Sequence, residues 1–207
     1  MSIAGQIQQR LLPIKLTAKF VADCITYLQM SKPQILGNID TMTQYVYNTF
    51  LNSMISTCCS SFLPDFSFDT KEEKLDIAVL QINEYTDVSA SVDDAFKETK
   101  NRMMKLALTD GMKIVYAFEH SHVNGLCLGI KPGAKIVLRN VKVRRGYLCL
   151  DNTNCQLLGG EVEELVKLEQ MKRAALDKKY RPSYVPLSVK RTEQVPLGQV
   201  DPDEDDQ

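Results

Sequence analysis

The sequence predicts an α+β fold, in which a small N-terminal helical bundle precedes a five-stranded β-barrel with a closing C-terminal helix. Three observations support this. Apolar residues recur at helical spacing over residues 1–63, the period changes to two from Leu75 onward, and a Gly-Gly-Glu junction at 159–161 separates the last strand from a final helix. We therefore expect a bundle at 1–63, a barrel with its closing helix at 64–180, and an extended or disordered acidic tail at 181–207.

The N-terminal region has the apolar spacing of helices that bury one side. Pro33 and Gly37 interrupt this pattern and predict a turn, and Asp40 is a candidate N-cap of the next helix. With a further helix before Pro13, these segments give a three-helix bundle. The apolar positions that define the two longer helices are Leu12, Leu16, Phe20, Ile25 and Leu28, then Val46, Phe50, Met54 and Ile55.

The barrel is predicted from five short segments with strand periodicity and from the turns between them. Asp110 and Gly111 form a tight turn between the second and third strands, and Pro132 with Gly133 precedes the fourth. Five such strands followed by a helix are typical of a small Greek-key barrel of the OB type. The expected strands are Leu75–Tyr85, Met103–Leu108, Lys113–Glu119, Ala134–Val143 and Tyr147–Leu150, and the expected helix is Glu161–Lys179.

The composition is that of a globular protein, with 44% hydrophobic residues, 25% charged residues and a net charge of −1. The N-terminus lacks the layout of a secretory signal, so we expect an intracellular protein whose six cysteines are free thiols. Residues 61–100 contain ten acidic and four basic side chains, whereas residues 101–150 contain nine basic and two acidic ones. This distribution permits a local anionic partner, although proteins that bind DNA mainly through phosphates are usually more basic overall.

The acidic segment between the first and second strands, about Asp87 to Asn101, is the first candidate binding site. Loops longer than about 12 residues inside a compact domain are often functional or disordered. This one carries Val88, Val92 and Phe96 among its charges, whereas a solvated connection needs no apolar residues. We interpret it as a partner-binding loop, with a solvated hairpin connection as the alternative.

A basic stretch in the fourth strand and the following turn is the second candidate. Its cationic residues alternate with valines, so some of them should project from the barrel. Barrels that bind single strands also expose aromatic side chains, but the strand aromatics here would fit equally well in the core. The sequence predicts weak nucleic-acid binding, with a free-standing single-stranded nucleic-acid-binding protein as the alternative function. The cations are Arg139, Lys142, Arg144 and Arg145, and the aromatics are Tyr85, Tyr116, Phe118 and Tyr147.

No arrangement of residues in the sequence predicts catalysis, a cofactor or a metal. His120 and His122 share one side of a strand end, and with Cys127 they are ligand types that zinc uses, but no fourth ligand has a suitable spacing. The Gly159-Gly160 pair lacks the remaining residues of phosphate-binding loops. We therefore expect a non-enzyme, with the histidine pair as the sole support for a catalytic alternative.

Four motifs occur in a fixed order along the predicted barrel. In this order they resemble the N-terminal region of the family of RecQ-mediated genome instability protein 1 and tudor domain-containing protein 3, over about residues 15–180. The short loop after the first strand and the stretch Pro182–Pro186 are similar to the tudor-protein version. The motifs are Val79–Asn83 with Asp87–Ser89, then Met104–Gly111, then Pro132–Ile136, and finally Leu157–Glu163.

The resemblance implies a non-catalytic subunit that binds a type IA topoisomerase III and modulates its strand passage on DNA or RNA. The tudor-like loop and tail favour the beta isoform over alpha. We expect nucleic acid to be reached mainly through the complex, in the nucleus or cytoplasm, without a membrane or small-molecule partner. No tudor domain, ubiquitin-binding module or second barrel follows within these 207 residues, so their functions are not expected here. The implied interface contains Asp87, Val88, Val92, Phe96, Asp110, Gly111 and Lys135.

Overall fold

Two hydrophobic cores organise the protein, one among the N-terminal helices and one inside a β-barrel. The computed structural model describes residues 2–90 and 101–179. It confirms the predicted α+β class, with a helical bundle, a closed five-stranded barrel and a C-terminal helix. Among these residues, no helix has the length and apolar character needed to cross a membrane.

The bundle contains two long helices and two short ones, joined by a 3-10 turn. Polar side chains cap three of the helices: Ser2, Thr17 and Asn38 each accept a hydrogen bond from a backbone N–H of the first turn. Their apolar sides meet in one core. The elements are α1 (Ile3–Arg10), α2 (Ala18–Ser31), the 3-10 turn (Pro33–Ile35), α3 (Ile39–Leu51) and α4 (Ile55–Cys58).

Three details of the predicted bundle were wrong. The second predicted helix does not continue through Met54 and Ile55, because α3 ends at Leu51 and Ile55 begins the separate helix α4. The N-cap of α3 is Asn38, whose Oδ1 accepts from the N–H groups of Asp40 and Thr41, while Asp40 lies in the first turn and pairs with Arg10. Leu12 is exposed, because α1 ends at Arg10 and the chain then leaves helical geometry. Local spacing cannot detect that change of direction, since it assumes that a helix continues.

Five strands form the barrel in the order β1-β2-β3-β5-β4. The barrel is closed because β1 also pairs with β4. All pairs are antiparallel except β3 with β5. The predicted last strand continues as a sixth strand beside β4, after a turn in which the Asp151 carboxylate accepts from Thr153 and Asn154. The strands are β1 (Glu73–Asp87), β2 (Met104–Thr109), β3 (Ile114–Glu119), β4 (Lys135–Arg144), β5 (Tyr147–Leu150) and β6 (Cys155–Gly159).

The closing helix α5 (Glu163–Lys179) begins two residues later than predicted. Val162 precedes it, is buried, and donates its N–H to the Pro132 carbonyl at 3.0 Å. Further along, Arg173 donates to the Tyr85 hydroxyl at 2.9 Å. These contacts fix the helix against the strand β1 and the turn before β4.

The bundle packs against the side of the barrel that β1 and β4 form. Val79 and Val137 point out of the barrel and belong to the bundle's core rather than to the barrel's own. The Gln81 side chain, fully buried, accepts the N–H of Ile55 at 2.9 Å. The two parts therefore share an apolar and hydrogen-bonded contact, which we call the junction.

The Gly-Gly pair that ends β6 offers a matched test of the junction. Both residues have positive φ, +83° at Gly159 and +88° at Gly160. A Cβ at 160 would overlap the Leu51 carbonyl, whereas a Cβ at 159 meets nothing within 4 Å. We expect Gly159→Ala to cost about 1 kcal/mol through backbone strain alone, and Gly160→Ala about 3 kcal/mol because α3 must also shift. Urea denaturation of both variants measures this difference, and equal losses would contradict the close approach.

Candidate partner-binding site

The segment between β1 and β2 has two stems, which are the residues at its two ends. The first stem is fixed by the Asp87 carboxylate. Asp87 is buried, and its Oδ1 accepts from the N–H of Ser89 at 2.9 Å, the Ser89 hydroxyl at 2.7 Å and the N–H of Met103 at 3.0 Å. The Val88 N–H donates to the Met103 carbonyl at 3.0 Å. Asp87 is therefore a structural residue that ties the two ends of the segment together. Its predicted role in direct partner contact does not fit its burial.

The second stem is fixed by a buried ion pair that the sequence analysis did not identify. Arg102 donates from Nε and Nη2 to the two carboxylate oxygens of Glu119, at 3.2 and 3.1 Å. Their side chains are 8% and 2% exposed. Glu119 also accepts the N–H of Val123 at 2.9 Å, and Arg102 also donates to the Leu126 carbonyl. This bidentate ion pair fixes the backbone at the point where the segment leads into β2.

Two exposed apolar side chains lie beside these stems. Val88 is 47% exposed and Met103 is 46% exposed. They border a shallow groove of about 320 Å³ that His120 and His122 also line. An exposed apolar pair on a rigid support is suited to protein contact. Val92 and Phe96, the other predicted anchors, lie outside the described residues.

The predicted contact turn at Asp110-Gly111 lies in the junction instead. Asp110 is 1% exposed, and its Oδ2 accepts from the Ser61 hydroxyl and from the N–H groups of Phe62 and Leu63 at 2.8 to 2.9 Å. Burial acts to raise the pKa of this carboxyl, but the backbone N–H donors outweigh it and leave the pKa well below its usual range. A Cβ on Gly111 would lie 2.6 Å from the Ser56 Cα. The Asp110-Gly111 turn is therefore covered by other residues of the protein and is not available to a partner.

Lys135, also predicted at a partner surface, is fully buried in the same junction. Its ammonium donates to the carbonyls of Leu51, Ser53 and Gly133, at 3.2, 2.8 and 2.6 Å. Burial lowers the pKa of Lys135 to about 8, so it remains largely protonated at neutral pH. The side chain joins the end of α3 to the barrel, and a partner cannot reach it while the junction is intact.

The predicted cations do project from the barrel. Val141 and Val143 are buried while Lys142 and Arg144 between and after them are exposed, as strand alternation predicts. Arg144 pairs with Glu72 at 3.4 Å. The other two predicted cations, Arg139 and Arg145, are exposed as well.

The histidine pair does not assemble a metal centre within the part of the chain that the structure describes. His122 lies 3.3 Å from Arg102 through Nδ1, and Cys127 packs against the barrel core. Over residues 2–90 and 101–179, no three His, Cys, Asp or Glu side chains form a group that could hold a metal ion.

Comparison with known proteins shows which family the barrel resembles. Residues 92–173, which include β2 to β6 and part of α5, match the protein-family model described as RMI1, N-terminal OB-fold domain. This region is similar to the RMI1 N-terminal OB-fold domain. The match agrees with the closed β-barrel of the structure. It confirms the family resemblance found in the sequence.

Individual relatives extend the similarity beyond residues 92–173. Tudor domain-containing protein 3 of Xenopus tropicalis is 37% identical over 126 residues, which is 60% of this chain and 18% of that protein. RecQ-mediated genome instability protein 1 of Oryza sativa subsp. japonica is 31% identical over 134 residues, 63% of this chain and 16% of that protein. The Arabidopsis thaliana protein of the same name is 27% identical over 157 residues, 73% and 24% respectively. The chain thus spans less than a quarter of these relatives.

The buried Arg102–Glu119 pair had a signal in the sequence. The Asp110-Gly111 turn sets the register of the β2–β3 hairpin, which places Lys105 opposite Phe118. Continuing that register brings Glu119 close to the segment just before β2, where Arg102 is the available cation. Opposite charges across a hairpin attract, and this reasoning would have found the pair. Lys135 had no such signal, because its three acceptors belong to distant or irregular backbone.

Proposed function

We propose that this chain is a non-catalytic accessory subunit that binds a type IA topoisomerase III and modulates strand passage. Its relatives include proteins named for RecQ-mediated genome instability, which supports a role in genome maintenance. The proposed partner isoform is beta, and the complex acts on DNA or RNA in the nucleus or cytoplasm. The chain's own part is binding rather than chemistry.

The observation that carries this proposal is the pair of fixed stems. Asp87 and the Arg102–Glu119 pair hold the two ends of the segment together while Val88 and Met103 stay exposed. Pre-organisation of this kind reduces the entropy lost when a loop binds. A segment that needed only to connect two strands would not require a buried ion pair at its base.

The positions of the other predicted contact residues limit where on the barrel a partner can bind. Asp110, Gly111 and Lys135 serve the junction with the bundle, so we assign partner contact to the opposite end of the β1–β2 hairpin. In this view the bundle covers the side of the barrel formed by β1 and β4, and the topoisomerase binds at the stem end of the β1–β2 hairpin. Apolar side chains of the segment supply most of the affinity, and its acidic residues set orientation.

Phe96→Ala is expected to weaken binding to purified topoisomerase III beta by about tenfold or more, because central apolar anchors dominate such interfaces. Val88→Ala should weaken it less, since half of that side chain is already covered. The dissociation constants are measured by surface plasmon resonance, with the alpha isoform in parallel. Met30→Ala serves as a control, because Met30 is 80% exposed and belongs to α2 of the bundle rather than to either stem.

A second variant separates loss of contact from loss of folding. Replacing residues 90–100 by a Gly-Ser linker keeps Asp87, Arg102 and Met103, so the barrel should retain its thermal stability. Loss of topoisomerase binding in this folded variant is the expected result. Unchanged binding would remove the segment from the interface, and equal binding of both isoforms would remove the preference for beta.

A further inference from the structure

A groove on the outside of β4 and β5 is lined by three cations, Arg139, Lys142 and Arg144, and has a volume of about 580 Å³. Residues three positions apart in a strand normally face opposite sides of the sheet. Asn140 has a left-handed backbone with φ +54°, which interrupts the alternation, so Arg139 and Lys142 line the same groove. We call this surface the cationic groove.

Few carboxylates of the protein balance these cations. Within residues 2–90 and 101–179, neither Arg139 nor Lys142 forms an ion pair, and Arg144 pairs with the exposed Glu72 at 3.4 Å. Asp151 also lines the groove, but its Oδ1 accepts from the backbone N–H groups of its own loop, at positions 153 and 154. The cationic groove therefore retains a net positive charge.

Exposed aromatic rings border the cationic groove. Arg144 pairs with Tyr147 across the two strands, and the Tyr147 ring centroid lies 6.5 Å from that of Tyr116 and 6.0 Å from that of Phe68. Tyr116 is 44% exposed and Phe68 is 63% exposed. The sequence left open whether the strand aromatics are core residues; for Tyr116, Phe118 and Tyr147 they are not. Apolar surface thus lies next to positive charge.

Residues 195–207, which we call the terminal segment, complement this surface in charge and in apolar content. They lie outside the described residues. Their last seven positions carry five acids and no base, so residues 1–200 have a net charge of +4 although the whole chain has −1. Opposite net charges of this size attract over the length of a tether. The apolar residues are Val195, Leu197 and Val200, and the acids are Asp201, Asp203, Glu204, Asp205 and Asp206.

The chain between α5 and these acids is long enough to reach the cationic groove. The helix ends at Lys179, and the residues from 180 to 200 can span up to about 70 Å. A domain of this size has a radius of gyration of about 16 Å, so the tether exceeds its diameter. Tethering gives an effective concentration in the millimolar range, at which even a weak contact is populated.

We propose that the terminal segment binds the cationic groove of its own chain. Its acids pair with Arg139, Lys142 and Arg144, and its apolar residues pack on the rings of Tyr147 and Phe68. Single exposed ion pairs are weak, but several acids facing several cations from a tethered position do not need a strong individual pair. An anionic partner can use the groove only after displacing the segment, so this contact is autoinhibitory.

The contact is tested on the full chain with no topoisomerase present, so its failure leaves the proposed function untouched. A water-soluble carbodiimide joins a carboxylate to a lysine amine where the two touch. In the monomer, we expect tryptic peptides in which residues 201–206 are coupled to Lys142 about fivefold more often than to Lys19, an exposed lysine of α2. Equal yields would overturn the proposal. Coupling found solely in a covalent dimer would overturn it too, because the contact would then join two copies.

Charge removal in the groove tests whether the contact is electrostatic. Arg139→Gln keeps Lys142 for coupling and should lower its yield about threefold, because one of the facing cations is lost. Arg10→Gln removes an exposed arginine of α1 and should leave the yield unchanged. Salt at about 1 M reduces the Debye length to about 3 Å and should bring the Lys142 yield down to that of Lys19. A yield that responds neither to salt nor to Arg139→Gln would overturn the proposal.

Nuclear magnetic resonance locates the contact without a cross-link. A full-length variant with a neutral terminal segment keeps every described residue, so the fold should be unchanged. Relative to the wild type, we expect amide shifts to change at 139–144 and 151–154 and to stay the same in α2. Unchanged groove amides would overturn the proposal. The substitutions are Asp201→Asn, Asp203→Asn, Glu204→Gln, Asp205→Asn and Asp206→Asn.

Discussion

Replacing Asp110 by alanine is expected to lower the free energy of unfolding by about 4 kcal/mol. The carboxylate accepts five hydrogen bonds, three from the connector at Ser61–Leu63 and two from the N–H groups of Met112 and Lys113. Its loss leaves buried N–H donors without an acceptor, and each such donor costs about 1–3 kcal/mol. Circular dichroism in increasing urea measures the change.

Asp65→Ala is the matched control, because this nearby carboxylate is exposed and only pairs with Lys113 at 2.7 Å. Surface ion pairs of this kind contribute up to about 1 kcal/mol. A loss for Asp110→Ala no greater than that of Asp65→Ala would show that the turn does not hold the junction together.

The same carboxylate gives a pH dependence of known sign. The folded-state pKa of Asp110 lies below its unfolded value, so the stabilisation is fully present above about pH 5 and is lost as the pH falls below about 4. Asp110→Asn does not titrate. The stability difference between wild type and Asp110→Asn should therefore be constant from about pH 5 to 7 and shrink towards pH 2. A difference that grows on acidification would contradict the depressed pKa.

Arg102→Met is expected to cost about 3 kcal/mol, because it leaves the Glu119 carboxylate buried without its cation. The double variant Arg102→Met with Glu119→Leu should recover most of this loss, since an apolar pair of similar volume removes the buried charge. Urea denaturation of the two single variants and the double variant gives the coupling energy. Additive losses would mean that the two side chains do not interact.

The Arg102 variants also test the role of the stems in binding. The double variant should recover the stability of the barrel, but it lacks the Arg102–Glu119 ion pair that fixes the second stem. We expect it to bind topoisomerase III beta about tenfold more weakly than the wild type, because the segment's ends are less well ordered before binding. Wild-type affinity in this variant would show that the ion pair serves stability alone.

Local patterns in the sequence were sufficient to predict the barrel. Alternation identified β4 and the outward side of Lys142 and Arg144, and turn chemistry located the hairpin at Asp110-Gly111. These features depend on a few neighbouring residues, which is why a single sequence contains them. The helix ends were less certain, as at Asn38, because several residues there can cap a helix.

The junction could not be predicted in the same way. A lysine at the start of a strand is usually solvated, and Lys135 is buried only because the end of α3 presents its carbonyls to it. Asp110 likewise suggests a solvated turn until the connector is placed against it. Both roles depend on contacts between residues about 50 to 80 positions apart, which periodicity does not encode. The resemblance to a family agreed with the predicted fold but did not indicate these side-chain roles.

The β1–β2 ribbon separates the two working regions of the domain by its own length. Gln81 pairs with Thr109 at the junction end, and Asp87 pairs with Met104 at the stem end, so about 20 Å of strand lies between them. Effects of substitutions so far apart are usually additive. Substitutions in the segment between β1 and β2 should therefore leave the attachment of the bundle unchanged, and substitutions in the junction should leave the two stems unchanged.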